Sequence, residues 1–336
     1  MGTRGSSRRR LIMEPNLFVS GDLHGVLSLP PSIIGWEVEA VQREKGRLFS
    51  EVRLFQGKRM HLAEIQTSKS LMYKGCGPEE WRSFLVRIAT HGPHIAHGLS
   101  IDDHELFISP TSHEVDVITP TNSHAFNLSF PKEELDNLIR KHGSETFFKQ
   151  LRLGGCFRPS PESLQRLCGV LVQATSVAES SKEPQRLRSM CEDVVHAFGQ
   201  CLSTTSSSIR QMSPNARRRI VRRVIDFIRS RPHENCKLAE LCKAAEVSER
   251  SLLYAFKLEL GMTPKAYLKI YRLHGVFREL RSGNCSSITE AATRWGFWHM
   301  GQFGVDYKEM FGELPSETLR AKSPTVHLMK TTPPAT

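Results

Sequence analysis

The spacing of hydrophobic and polar residues changes twice along the 336-residue chain, and each change predicts a different kind of structure. Between about Trp36 and Pro131 the period is two, with Gly, Pro, Ser and Thr at the breaks. His113-Glu-Val-Asp-Val-Ile-Thr119 puts Val115 and Val117 on one face and Glu114 and Asp116 on the other, while Phe126, Leu128 and Phe130 alternate with Asn127 and Ser129. Such alternation predicts half-buried strands. They close at Pro120 and Pro131, since proline cannot donate to a strand ladder. Further strands are predicted over 47–55, 60–72, 84–89 and 105–109, and so many at close spacing imply an antiparallel sandwich or small barrel.

After Pro131 the period becomes helical. Segments 132–141, 161–179 and 186–202 carry apolar residues at helix spacing, for example Leu164, Leu167, Leu171 and Val172. The polar run Ser203-Thr-Thr-Ser-Ser-Ser208 is unable to build a core and predicts a linker. Beyond it the pattern is helix, break, helix, given twice. Ile220, Val224 and Ile228, with Val221 and Ile225 beside them, predict a helix over 217–231. A short helix with Leu238, Leu241 and Ala245 follows, and then a third that starts at the N-cap Ser248 and buries Leu252 and Phe256. Glu249, Arg250, Leu253, Tyr254 and Lys257 then face outward, and an exposed second helix after a tight turn suits the major groove of DNA.

Gly261 stops that helix, and Thr263-Pro264 starts a long one ending at Gly283, with apolar residues on two sides. Gly275 inside it costs about 0.5–1 kcal/mol against alanine, which predicts close packing there. The unit then repeats: Ser287-Ile-Thr-Glu290 has capping-box spacing, Gly296 makes the turn, and a second exposed helix buries Phe303 and Tyr307. His299, Met300, Gly301, Gln302 and Val305 are its outward positions, and Pro315–Arg320 closes the array.

Composition is that of a globular protein, with 39% hydrophobic and 24% charged residues. The formal charge is +11, of which +10 falls in residues 209–336. That asymmetry predicts a polyanion-binding module joined to a neutral one, and it is assigned mainly to DNA phosphates because the apolar helix faces are committed to internal packing rather than to a bilayer. No stretch reaches the roughly 18 apolar residues of a membrane span, and no signal-peptide core follows Met1. The eight cysteines lack C-x-x-C spacing and read as reduced cytosolic thiols, mostly core filler.

The string Val247-Ser-x-Arg-x-Leu-x-x-x-Phe-Lys257, Gly261-x-Thr-Pro-x-x-Tyr-Leu268, Arg272-Leu273, Ser287-Ile-Thr-Glu-Ala-Ala292, Trp295-Gly-Phe297, Phe303, Tyr307-Lys308, Phe311-Gly312 and Pro315-Ser316 resembles the AraC/XylS family of bacterial transcription regulators over about 105 residues. Within it, Trp295–Phe303 and Arg272–Leu280 look most like the branch containing the ethanolamine-utilisation regulator. The resemblance implies two helix-turn-helix units joined by the long helix, reading two major-groove segments about 34 Å apart. Arg250 is the base-reading candidate, through bidentate pairing with guanine, with Tyr254 and Leu253 beside it. Lys257 and Arg294 are expected on phosphates. In the second unit Gln302 is suited to adenine, whereas Met300, Gly301 and Val305 donate no side-chain hydrogen bonds, so phosphate contact and DNA shape are expected to dominate there.

For the neutral half the resemblance implies a ligand-sensing or dimerising domain, often cupin-like. Trp36, Tyr73, Trp81 and Phe84 are its candidate effector-pocket aromatics. The ethanolamine branch would suggest a small amine or cobalamin as effector, although no residue set identifies either. His91, His94 and His97, near His104 and His113, lack the convergent spacing a metal needs, so no metal is expected. No nucleophile–base set or activated cysteine is apparent, so no catalytic residue is assigned and no enzyme expected.

The expected fold class is α+β: a basic tail over 1–20, a β-rich sensor over 21–131, a helical connector or dimerisation segment over 132–202, a linker over 203–212, an all-α double helix-turn-helix domain over 213–322 and a disordered tail over 323–336. The expected function is a ligand-responsive activator. It binds double-stranded promoter DNA, meets RNA polymerase if it activates, needs no cofactor, has an unknown small-molecule effector and no membrane partner, and leaves a homodimer open. Two alternatives stand beside it: a ligand-binding or enzymatic N-terminal domain tethered to DNA, and a constitutive repressor or architectural DNA binder.

Overall fold

The computed structural model describes residues 17–27, 29, 35–89, 92–110, 113–142, 153–205, 209–212, 215–234, 236–321 and 326–330. The elements of the β-rich half run β1 (Leu17–Gly21), α1 (Leu23–Leu27), β2 (Glu37–Gln42), β3 (Ser50–Gln56), β4 (His61–Thr67), β5 (Leu71–Cys76), β6 (Trp81–Ala89), β7 (His94–Ala96), β8 (Leu99–Ile101), β9 (Leu106–Ile108), β10 (Glu114–Ile118) and β11 (Ser123–Pro131). Then come α2 (Lys132–His142), β12 (Gly155–Phe157), α3 (Pro161–Ser180), α4 (Pro184–Ser203) and β13 (Arg210–Gln211). The C-terminal part is α5 (Ala216–Ser230), α6 (Leu238–Ala245), α7 (Glu249–Leu260), α8 (Pro264–Ser282), α9 (Ile288–Arg294), α10 (Met300–Phe311), α11 (Pro315–Arg320) and β14 (His327–Lys330).

The strands form a nine-stranded sheet, β13-β12-β9-β6-β11-β4-β3-β1-β14, and a five-stranded sheet, β2-β5-β10-β7-β8. The segment expected as one strand over 60–72 is two, β4 and β5, broken at Ser68–Ser70 and placed in different sheets. Alternation alone marks a strand but not its sheet.

The chain ends differ from expectation. Leu17–Gly21, mostly inside the predicted tail, forms β1 with Leu17, Phe18 and Val19 buried, and it pairs with β3 and with β14 from the other predicted tail. Both strands are made by pairing across most of the chain length, which leaves no local pattern. Residues 1–16, 322–325 and 331–336 lie outside the described residues, as do 206–208 of the expected linker. Elsewhere in that linker, Ile209 is buried and Arg210–Gln211 pairs with β12.

The helices of the expected connector are part of the core of the β-rich half. Leu164, Leu167 and Leu171 of α3 and Leu187, Val194 and Phe198 of α4 pack with Phe84, Phe130 and Phe157 of the large sheet. Phe198 meets Phe84 edge-on with ring centroids 4.5 Å apart, a favoured aromatic geometry.

A second core holds α5 to α10. Ser248 accepts from Ser251 N at the start of α7, Thr263 from Ala266 N at the start of α8, and Ser287 from Glu290 N at the start of α9. The capping box at Ser287 is shifted by one residue, because the Glu290 carboxylate takes the Ser286 N–H instead of that of Ser287. At Gly275 a Cβ would stand 2.3 Å from the Trp295 ring, so α8 and the Trp295 indole meet only because no side chain is there. Trp295 Nε1 donates to Glu279 Oε1 at 2.8 Å, which fixes the indole across that helix.

Gly275→Ala ought to gain about 0.5–1 kcal/mol of helix propensity yet lose about 1–3 kcal/mol to overpacking, so the denaturant midpoint should fall; a midpoint that rises would contradict the contact. His61, His94, His97 and His274 are buried. Burial lowers His61 and His94 to about 3 and His97 to about 4, and holds His274 well below the usual histidine range. The unfolded chain protonates these rings near pH 6.5 and so binds more protons below that value, which makes stability fall as pH drops from about 6.5 toward 4. The melting temperature measured at pH 5 should therefore lie clearly below that at pH 7.5.

Candidate DNA-binding surface and effector cavity

The first helix expected to read DNA, α7, is set by a left-handed turn. Glu246 ends α6 with φ 57° and ψ 43°, Val247 N donates to Cys242 O, and Ser248 caps α7 immediately after. Leu252, Ala255, Phe256 and Leu260 of α7 are buried with Val221, Val224, Ile225 and Ile228 of α5. That leaves Glu249, Arg250, Leu253, Tyr254 and Lys257 on the outer face, all exposed, as the sequence pattern expected. Among the described residues the side chains of Arg250, Tyr254 and Lys257 make no hydrogen bond or ion pair, which leaves this face available to a partner.

The second helix is less open. Trp295-Gly296 turns the chain, with Gly296 at φ 80°, and Phe303 and Tyr307 are buried. His299, Gly301, Gln302 and Val305 face out, whereas Met300 is half-buried against the helical core. Met300 opens the helix and packs against the helical core instead of facing outward. Gln302 Nε2 donates to Asp306 Oδ1 at 3.0 Å, and Lys269 Nζ lies 2.7 Å from the same oxygen. Trp298, which helical periodicity could not place because it sits in the turn, is 73% exposed next to these residues.

Arg294 was expected on phosphate, but its guanidinium lies 3.0 Å from Glu279 and 2.6 Å from Glu290. Helix spacing aligns Arg294 with Glu290, and the neighbouring Glu279 is brought up by α8.

The arginine excess also has partners that its position in the chain did not reveal. Arg218 lies 3.2 Å from Asp116, Arg222 2.9 Å from Glu114, Arg229 3.4 Å and Arg278 2.6 Å from Glu39, and Arg281 3.5 Å from Asp22. Five arginines of α5 and α8 are thus neutralised by the β-rich half rather than held for phosphates. Burial raises the Asp116 carboxyl, but Lys74 at 2.6 Å and Arg218 outweigh it and hold that group below the usual range. Gln42 N donates to His274 Nε2 at 2.9 Å and Gln42 Nε2 to Met310 O at 3.1 Å, while Val41, Met72 and Ile118 join the helical core. A cleft of about 1220 Å³ runs along this junction.

Inside the β-rich half a separate cavity of about 130 Å³ lies between the sheets. Trp36 and Tyr73 line it; Trp81 lines a smaller space of about 50 Å³, and Phe84 is fully buried on the opposite side with Phe198. The strand period explains the split, since Trp81 and Phe84 are an odd number of residues apart on β6 and so face opposite ways. His94 Nε2 bonds Ser123 Oγ at 2.9 Å and His97 Nε2 bonds Glu114 O at 3.0 Å, so the two rings are engaged separately. His104 is exposed, His113 bonds Trp81 O, and His91 lies outside the described residues.

A family profile described as a helix-turn-helix domain matches residues 241–321. The XylDLEGF operon transcriptional activator of Pseudomonas putida is 42% identical over 100 residues, covering 29% of this chain and 31% of that protein. The XylDLEGF operon transcriptional activator 2 of the same organism is 35% identical over 131 residues, covering 38% of this chain and 80% of that protein. The solved structure of a probable AraC family transcriptional regulator from Rhodopseudomonas palustris CGA009 is 34% identical, covering 30% of this chain and 94% of that one, with a TM-score of 0.29. The chain thus spans about a third of the length of the first of these activators. Among the described residues no helix is long and apolar enough to cross a membrane. With the matched profile, the shared identity and the helix pairs that carry it, the chain belongs to the AraC/XylS family of helix-turn-helix transcription regulators.

Proposed function

We propose that the protein is a DNA-binding transcription activator of the bacterial cytoplasm, in which a cupin-like sensor governs a double helix-turn-helix reader. The outer face of α7 carries this reading: Arg250, Leu253, Tyr254 and Lys257 stand exposed side by side on a helix whose opposite face is fully used in packing. A guanidinium with no internal partner is suited to pair with guanine O6 and N7, and Lys257 at the far end of the helix is suited to a phosphate. The second unit supports a weaker reading role, with Gln302 held by Asp306 and Val305 61% exposed, so that backbone contact and DNA shape carry its share.

The partners of this function are promoter DNA and, for an activator, RNA polymerase. At the finer level, Trp295–Phe303 and Arg272–Leu280 favour the ethanolamine-regulator branch for the reader alone. The amine effector that branch implies does not suit the sheet cavity, whose lining has no carboxylate.

The test is a mobility shift with the full chain at physiological salt against promoter fragments and random DNA of equal length. The expected result is preference for one promoter; equal affinity for all fragments overturns the proposal. Arg250→Ala should lose about 1–3 kcal/mol and relax preference at one base pair, whereas uniform weakening on every sequence would make Arg250 a phosphate contact. Arg294→Gln should lower thermal stability while leaving the salt slope of DNA binding unchanged; a slope reduced by about one would instead place this residue on phosphate.

A further inference from the structure

The turn into α10 leaves its largest side chain in solvent. The residue before a helix cap ordinarily packs against the fourth residue of the helix, which would set Trp298, just before the cap residue His299, on Phe303. Phe297 takes that place instead, with ring centroids 5.2 Å apart, and Trp298 is turned outward. Among the described residues its side chain makes no hydrogen bond, ion pair or ring contact. Val305, on the outer side of α10, is likewise largely exposed, while Phe303, Tyr307, Met310 and Phe311 fill the inner side. A helix-turn-helix meets base edges with the N-terminal part of its second helix, which is the end that Trp298 adjoins.

The same surface suits a partner that comes close and is met by apolar contact. Gly301 is exposed, its backbone is ordinary helix, and a Cβ there would meet nothing within 4 Å. Glycine weakens a helix relative to alanine. At Gly275 the Trp295 ring accounts for it, but at Gly301 no contact within the molecule does. A helix without a side chain at its second position can approach a groove more closely. Of the hydrogen-bonding side chains beside it, Gln302 gives its amide to the Asp306 oxygen that Lys269 also holds, which leaves His299. What the second unit presents to a base pair is therefore chiefly an indole ring and an isopropyl group. The apolar group that bases show in the major groove is the C5 methyl of thymine, which cytosine lacks.

We propose that Trp298 and Val305 are specificity-determining residues of the second unit: they close over thymine methyl groups in the major groove, with Gly301 admitting the helix to that depth, so that this unit selects thymine-bearing pairs by apolar contact. The inference rests on the regulatory reading above. To the backbone contact and DNA shape already ascribed to the second unit it adds the chemistry by which that unit tells one base from another.

The experiment uses the full-length protein and the promoter it prefers in the mobility shift, with deoxyuridine put in place of thymine at one position at a time. Deoxyuridine keeps every hydrogen-bonding group of thymine and lacks only the methyl. At the positions read by the second unit it is expected to weaken wild-type binding about threefold to fivefold, the worth of one buried methyl group. Trp298→Ala and Val305→Ala should each bind the thymine promoter more weakly and become indifferent to uracil at one of those positions, while sensitivity elsewhere persists. Both side chains are exposed, so the melting temperature should not fall. Gly301→Ala should raise the melting temperature, since nothing in the molecule meets the new methyl, yet weaken promoter binding by about fivefold or more. Absence of any uracil-sensitive position, or the same sensitivities in wild type and both variants, overturns the inference; Gly301→Ala that binds as wild type, or that lowers the melting temperature, overturns the close approach. Equal affinity of the wild type for promoter and random fragments would instead overturn the regulatory reading, and this inference with it.

Discussion

The five-stranded sheet is in contact with apolar cores on both faces, and the relation between the two halves of the molecule depends on how those faces are written. In β2, β5 and β10 successive residues point to opposite sides. Ala40, Leu71 and Tyr73, with Val38, Val115 and Val117, pack into the β-rich half; Val41, Met72 and Ile118 pack into the helical half, with Glu39, Lys74, Glu114 and Asp116 beside them. An antiparallel sheet ordinarily shows one face to water. Here the second face is covered by α5 and α8, and a one-residue slip of any of these strands would put carboxylates into the apolar cavity and valines against arginines.

This arrangement also changes the meaning of the charge. Taken along the chain, +10 in the last third suggests a basic surface held for DNA. In three dimensions five of those arginines face Asp22, Glu39, Glu114 and Asp116, so the field around the helical region is weaker and more directional than the count implies. A pair as exposed as Arg222–Glu114 contributes about 0–1 kcal/mol at most. The apolar contacts of Val41, Met72 and Ile118 and the buried Gln42–His274 hydrogen bond therefore carry most of the docking, and the ion pairs chiefly set its register. The face of α7 lies outside that bookkeeping and keeps its polar side chains unpartnered.

Much of the reader was legible because its signals are local. The caps Ser248, Thr263 and Ser287, the stop Gly261 and the buried residues at helix spacing all act within one or two turns, so they mark α5 to α11 to within a residue or so, along with the outer face of α7. Gly275 was legible as an anomaly, though not as the seat of Trp295. Arg294 was not, because α8 brings Glu279 up to it, and Met300 was not, because its half-burial follows from how its helix seats on the helical core. The β-rich half was legible as strands but not as sheets: β1 and β14 depend on a partner from the other end of the chain, and β4 and β5 part company within three residues.

By itself, then, the sequence determined the alternation of β10, the capped helix pairs and the family they belong to, since periodicity and capping are properties of neighbouring residues. Only the tertiary structure decided that Trp36 and Tyr73 share a cavity while Phe84 sits behind the strand, and that the basic excess is answered by carboxylates of the β-rich half. Those are encounters between residues tens to hundreds of positions apart. They are set by which strands pair and which helices cover them, and no local pattern in the chain records that choice.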